Sequence, residues 1–240
     1  VSAILIAEGL FKTFGAVTAA SDINLAFDAG TVVSLIGANG AGKTTFLNMV
    51  TGYLRPDAGS IVFDGRPIVG LAPRAITRLG ISRSFQIPQL FASLSVRDNL
   101  LVAEGIAGAG GRAGALLARF GLAPYAGQPA GLLPEGIRKL LDVAMALVTR
   151  PKVLLLDEPT SGVAADEKFG IMDLVMAAAG EAGVAVLFVE HDMDIVGRYA
   201  GRVVAFYDGR VIADGAPGEV LRADDVRRYV IGEEAPHAPA

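Results

Sequence analysis

Apolar positions along the chain fall into short runs separated by Gly, Asp, Ser and Pro, and their spacing predicts the elements. Residues 4–8, 16–20 and 23–27 read as three short strands of an antiparallel layer, broken by small and acidic residues. Residues 31–36 form a more continuous apolar run, and residues 45–50 follow with helical spacing. A dense turn over 54–60 leads to a strand at 61–63 and a turn at Asp64-Gly65. Next come a helix over 73–79 and a strand over 81–85. Helices follow over 96–104 (opened by Ser95), 116–120 and 137–149, with the Gly- and Ala-rich stretch 105–114 read as a flexible connection.

Residues 88–150 therefore read as a helical insertion between strands, ended by Pro151. Residues 153–158 and 184–189 are apolar strands of the buried parallel kind, with a helix over 166–180 between them. Runs 202–207 and 210–213 flank Asp208-Gly209, a hairpin signal. The organisation expected is one domain over 1–232 and a frayed tail over 233–240.

Composition narrows the classes. The chain has 240 residues, enough for a sizeable core, and no cysteine, so no disulfide framework or cysteine-ligated metal is available. Two histidines argue against a zinc site. A net charge of −4 without a basic stripe gives no footprint for nucleic acid. Hydrophobic residues make up 52 %, yet no run approaches the roughly 18 apolar residues of a membrane span. The first residues lack the pattern of a signal peptide.

Candidate chemistry centres on GANGAGKTT, Gly37 to Thr45, which fits GxxxxGK[ST] between a predicted strand and a predicted helix. Gly37, Gly40 and Gly42 allow a tight backbone, so that the amides of Asn39, Ala41 and Thr45 approach an anion together with the helix dipole. Lys43 adds a positive charge for the β- and γ-phosphates, and Thr44 a hydroxyl for Mg²⁺. Asp157 closes an apolar strand, where a carboxylate can orient Mg²⁺, and Glu158 beside it is suited to polarise an attacking water. Three residues stay open on spacing alone. Phe14 is either a core aromatic or a flat ring for a base, Gln86 a plain loop residue or a reach toward metal-bound phosphate, and His191 structural or a γ-phosphate contact.

GANGAGKT, Gln86, VLLLDEPTSG and VEHDM, in this order and spacing, resemble the nucleotide-binding subunit of ATP-binding cassette (ABC) transporters over essentially the whole chain. The resemblance implies an α/β fold, a P-loop NTPase RecA-like core with an antiparallel β-subdomain and an inserted helical subdomain, with ATP held between two subunits head to tail. It assigns Phe14 to adenine stacking, Gln86 to the loop that senses Mg²⁺ and the membrane partner, Glu158 to the general base and His191 to the switch histidine. Residues 86–94 become the docking edge for transmembrane permease subunits, which puts the chain at the cytoplasmic face of the inner membrane. Ser84-Phe85-Gln86, VEHDM and the stretch from Asp208 to Val220 look most like the ATPases of branched-chain amino acid importers. Rival readings are an ATPase of the lipopolysaccharide-export type and a soluble ABC ATPase of DNA repair or translation. A P-loop kinase or GTPase fits less well, since NKxD is absent and the P-loop is paired with DEPT.

The departures matter as much. Leu133-Pro134-Glu135-Gly136-Ile137 stands where the family carries LSGGQ or LSYGQ. Pro134 replaces the serine whose hydroxyl meets the opposite subunit's γ-phosphate, and Pro lacks a backbone donor. Glu135 repels a triphosphate unless Arg138 and Lys139 offset its charge. Ser161-Gly162-Val163-Ala164 lacks the usual final Asp. A second, unlike ATPase subunit with an intact signature is therefore favoured as partner over a second copy; the alternative is that residues 133–137 form a working variant whose backbone N–H groups suffice.

Overall fold

The computed structural model describes residues 3–108 and 110–232, so the expected tail at 233–240 lies outside the described residues. It divides into two compact units, one of residues 1–71 with 189–240 and the other of residues 72–188.

The first unit begins with two long strands where three short ones were expected. β1 (Ala3–Phe14) and β2 (Val17–Asp28) pair antiparallel along their length and turn through Gly15. The breakers that suggested strand ends are absorbed as irregularities. Register shifts fall between Ala7 and Leu10, and Asp22 takes a left-handed φ of 55°. Asn24 fills the gap this leaves: its Oδ1 accepts from Gly9 N at 2.7 Å, and its Nδ2 donates to Asp22 O at 3.0 Å. The ladder stays satisfied, so the strand continues.

β3 (Val32–Ile36) is almost wholly buried, and α1 (Lys43–Val50) follows the glycine-rich loop. β4 (Ala58–Phe63) starts within the expected turn because Ala58 pairs with Phe11, and β5 (Arg66–Pro67) completes the sheet order β2-β1-β4-β5.

In the second unit, α2 (Pro73–Leu79) opens on a proline whose missing N–H costs nothing at that position, and β6 (Ile81–Ser84) follows. The Ser95 hydroxyl accepts from Asp98 N and caps α3 (Val96–Ala107), which runs past its expected end at 104. The Gly-rich stretch is shorter than expected because Glu104 organises it. Its Oε1 accepts the backbone N–H groups of Arg112 and Ala113, and so starts α4 (Ala113–Arg119). α5 (Glu135–Val148) buries one long face. β7 (Val153–Asp157) is fully buried and pairs parallel with β6, Ile81 opposite Val153 through Ser84 opposite Leu156. After α6 (Lys168–Glu181), β8 (Ala185–Val189) gives the order β8-β7-β6.

The chain then re-enters the first unit. α7 (Met193–Tyr199), left unassigned from sequence, is opened by the Asp192 carboxylate, which accepts from Asp194 N at 3.2 Å. β9 (Arg202–Tyr207) pairs parallel with β3 and antiparallel with β10 (Arg210–Gly215). Asp208 and Gly209, at φ 47° and 72°, make the expected hairpin turn. The rings of Phe27, Phe46 and Phe206 stand 6.1 and 6.0 Å apart in series, joining β2, α1 and β9 in one core. Among the described residues no helix is long and apolar enough to cross a membrane.

Candidate functional site

In the first unit the glycine-rich loop between β3 and α1 is built by backbone. Gly37 and Gly42 hold φ values of 153° and 107°, and a Cβ on them would come within 2.5 Å of Phe206 O and 2.6 Å of Ala19 O. The turn at Gly209 stitches the loop in place: Gly209 N donates to Ala41 O at 3.1 Å, and Ser21 N donates to Gly209 O at 2.8 Å. No side chain caps α1 and no acidic residue stands in its first turn, so its leading N–H groups and positive dipole end are available to an anion. Asn39, Gly40 and Thr44 are exposed beside them, and Thr45 is half-buried. The Lys43 ammonium donates to Gly37 O at 2.6 Å and Ala38 O at 3.0 Å, which lays it along the loop.

Phe14 is 52 % exposed at the end of β1, so it is not a core aromatic. The segment before it is pinned by Asp57, whose carboxylate takes the Lys12 ammonium at 2.6 Å and Thr13 N at 2.8 Å. The Lys12 contact, then the Thr13 amide, lowers the Asp57 pKa to about 2. Lys12 Nζ also lies 5.6 Å from the Phe14 ring centroid. At the end of β8, His191 is exposed, and its backbone N–H donates to the buried Glu190 carboxylate at 3.1 Å.

The second unit carries a face made of charge. Asp157 ends β7 with its carboxylate 2.6 Å from Arg83 Nη2, both side chains nearly out of solvent. Arg83 reaches it from the neighbouring strand and lies 4.8 Å from the Phe85 ring. Glu158 takes a left-handed φ of 51°, a strained turn for a residue with a side chain. Its Oε2 accepts from Gln86 Nε2 at 2.7 Å, so these two residues meet directly. Lys139 approaches the same pair from α5, donating to Gln86 O and to Glu158 O, the latter at 3.1 Å.

That contact corrects one expectation. Arg138 does pair with Glu135, but Lys139 is buried against Gln86 and Glu158 and so does not offset the Glu135 charge. Pro134 supplies no side-chain cap to α5, and Glu135 occupies its first turn. Arg83, Lys139, Asp142 and Asp57 were not singled out from the sequence as site residues. Lys139 and Asp142 do leave a signal, as opposite charges three residues apart around the apolar pair Leu140-Leu141.

Comparison with known proteins shows the family. A family model described as ABC transporter matches residues 20–161. The high-affinity branched-chain amino acid transport ATP-binding protein BraF of Pseudomonas aeruginosa is 35 % identical, over 96 % of this chain and 98 % of its own length. The corresponding LivG protein of Escherichia coli K12 is 33 % identical over the same shares. Among solved structures, the ADP conformation of MJ1267, an ATP-binding cassette of an ABC transporter, aligns with a TM-score of 0.87 at 30 % identity, covering 97 % of this chain and all of that one. CbiO1 of Clostridium perfringens, part of the ABC transporter complex cbiONQ, aligns at 0.82 and 33 % identity, over 95 % of this chain and 94 % of its own. With its P-loop, its DEPT strand end and these relatives, the chain belongs to the ABC transporter family as an ATP-binding subunit.

Proposed function

We propose that this chain binds and hydrolyses ATP to energise a multi-subunit ABC importer for branched-chain amino acids or related solutes. It would work as a peripheral subunit at the cytoplasmic face of the inner membrane. The observation that carries the catalytic part is the Gln86–Glu158 hydrogen bond at 2.7 Å, beside Asp157 at the end of a buried strand. The solute class rests on the BraF and LivG relatives.

In this reading the amides of residues 37–45 and the Lys43 ammonium hold the phosphates, and Phe14 stacks on adenine. The donors for Mg²⁺ are the Thr44 hydroxyl, the Asp157 carboxylate and the Gln86 amide oxygen. They fit the ion chemically: all are hard oxygens, and Mg²⁺ is commonly held by one or two carboxylates plus substrate phosphates. Bound Mg²⁺ supplies positive charge to the phosphate oxygens as negative charge shifts during transfer. Glu158 takes the proton of the attacking water, and His191 steadies the reacting phosphate.

The docking edge for the permeases is residues 86–94. Ile87 is 75 % exposed there, Phe91 is also exposed, and Leu132 adds a third apolar surface residue in the same unit. The second ATPase subunit is an unlike chain, because Pro134 and Glu135 weaken the signature face while the P-loop and carboxylate faces are complete. The helical insertion 88–150 carries most of the docking edge and all of the altered signature.

The reading is tested by ATP binding and by uptake of labelled leucine into vesicles that hold the assembled transporter. Lys43→Ala should lose both nucleotide affinity and uptake. Leucine uptake unaffected by Lys43→Ala would overturn it.

A further inference from the structure

We propose that Lys139 and Asp142 are positioning residues, which lock segment 84–89 to the Glu158 carboxylate so that displacement of one displaces the other. The proposal rests on the reading of Glu158 as the general base.

The two side chains lie one turn apart on the buried face of α5, at 1 % and 5 % exposure. The Asp142 carboxylate is an acceptor hub for segment 84–89. Oδ2 takes the Ser84 hydroxyl at 2.6 Å and Phe85 N at 3.0 Å, while Oδ1 takes Gln89 N at 3.1 Å. The Lys139 ammonium donates to the backbone oxygens of Gln86 and Glu158. The Gln86 side chain then closes a ring by donating to the Glu158 carboxylate. Segment 84–89 cannot slide along β7 without breaking a charge-assisted bond on one side of that ring.

Stability alone is a poor reason for this arrangement. Taking an ammonium and a carboxylate out of water costs several kcal/mol each, and apolar residues of similar volume often serve a core as well or better. What an apolar pair does not do is fix the backbone of Gln86 relative to that of Glu158. Glu158 holds a strained φ, so its carboxylate direction depends on the carbonyl that Lys139 grips.

The test measures steady-state ATP hydrolysis by the assembled transporter, together with ATP affinity and thermal midpoint of the full chain, for Lys139→Met and Lys139→Arg. For Lys139→Met, a midpoint within a few degrees of the parent and unchanged ATP affinity should accompany a kcat lower by about 10- to 100-fold, the scale of misplacing a reacting group by about 1 Å. Lys139→Arg should recover part of the rate. An unchanged kcat, or a kcat that falls only in step with affinity and midpoint, overturns the proposal. If Lys139→Met does not fold, Asp142→Asn, which keeps the shape and removes the charge, decides on the same readouts. Glu158→Gln run alongside separates the two ideas: an active Glu158→Gln overturns the base assignment itself, whereas an inactive one beside a fully active Lys139→Met overturns only the coupling.

Discussion

The glycine-rich loop of the first unit and the carboxylate face of the second are built by different means. The loop is a backbone object. Its shape comes from positive φ values and from backbone packed so close that a Cβ would come within 2.5 Å of Phe206 O and 2.6 Å of Ala19 O, and its charge from helix amides and one lysine. The carboxylate face is a side-chain object, in which Arg83 meets Asp157, Gln86 meets Glu158, and Lys139 and Asp142 hold the backbone around them. One lesson follows: an anion cradle is specified by consecutive residues, whereas the placement of the strand-end carboxylates depends on partners 19 to 74 positions away in sequence.

Substitutions put that contrast to the test. The largest stability effect belongs to Arg83→Met, which leaves Asp157 buried without its guanidinium and should cost about 3–5 kcal/mol by denaturant unfolding. A neutral result would show the pair to be dispensable. Gly42→Ala adds one methyl group, yet at φ 107° and 2.6 Å from Ala19 O it should cost about 1–3 kcal/mol and weaken ATP binding, a purely backbone effect. If alanine is tolerated there, the loop is not fixed by its backbone as described.

Lys43→Ala should act on the ligand instead. Loss of a charge-assisted contact of about 1.5–3 kcal/mol lowers ATP affinity roughly 10- to 100-fold, read by equilibrium titration.

The smallest effect is pH-dependent and concerns Asp57. Its pKa in the folded chain is lowered from 3.8 to about 2, so its contribution to stability is present above 3.8 and is lost as pH falls through about 2. Asp57→Asn should therefore unfold at a lower temperature than the parent near neutral pH, with the gap closing between pH 4 and 2. A gap independent of pH in that window would assign the effect to packing.

The same contrast explains what was legible in the sequence. Gly37 to Thr45 and the Asp208-Gly209 hairpin depend on local conformation, so their residues announce them. β1 and β2 were misread as shorter pieces because Gly9 and Asp22 look like strand ends, and it is the Asn24 side chain, bonded to Gly9 across the pair of strands and to Asp22 on its own, that makes them irregularities within a strand. The Gly-rich stretch after residue 104 was misread for a similar reason, since its order comes from the Glu104 carboxylate across the turn. Lys139 was legible as a charge but not as a buried one, because a helix face is chosen by what packs against it.

The measurement that tests the account most directly is ATP turnover by the assembled transporter with the general base removed from one ATPase subunit at a time. Glu158→Gln in this chain should preserve ATP binding and lower turnover by at least about 100-fold. The corresponding change in the second ATPase subunit should leave most of the turnover if, as proposed, that subunit's site is completed by the altered signature of residues 133–137. Equal losses from the two changes would contradict the asymmetry, and normal turnover in Glu158→Gln would contradict the assignment of the base.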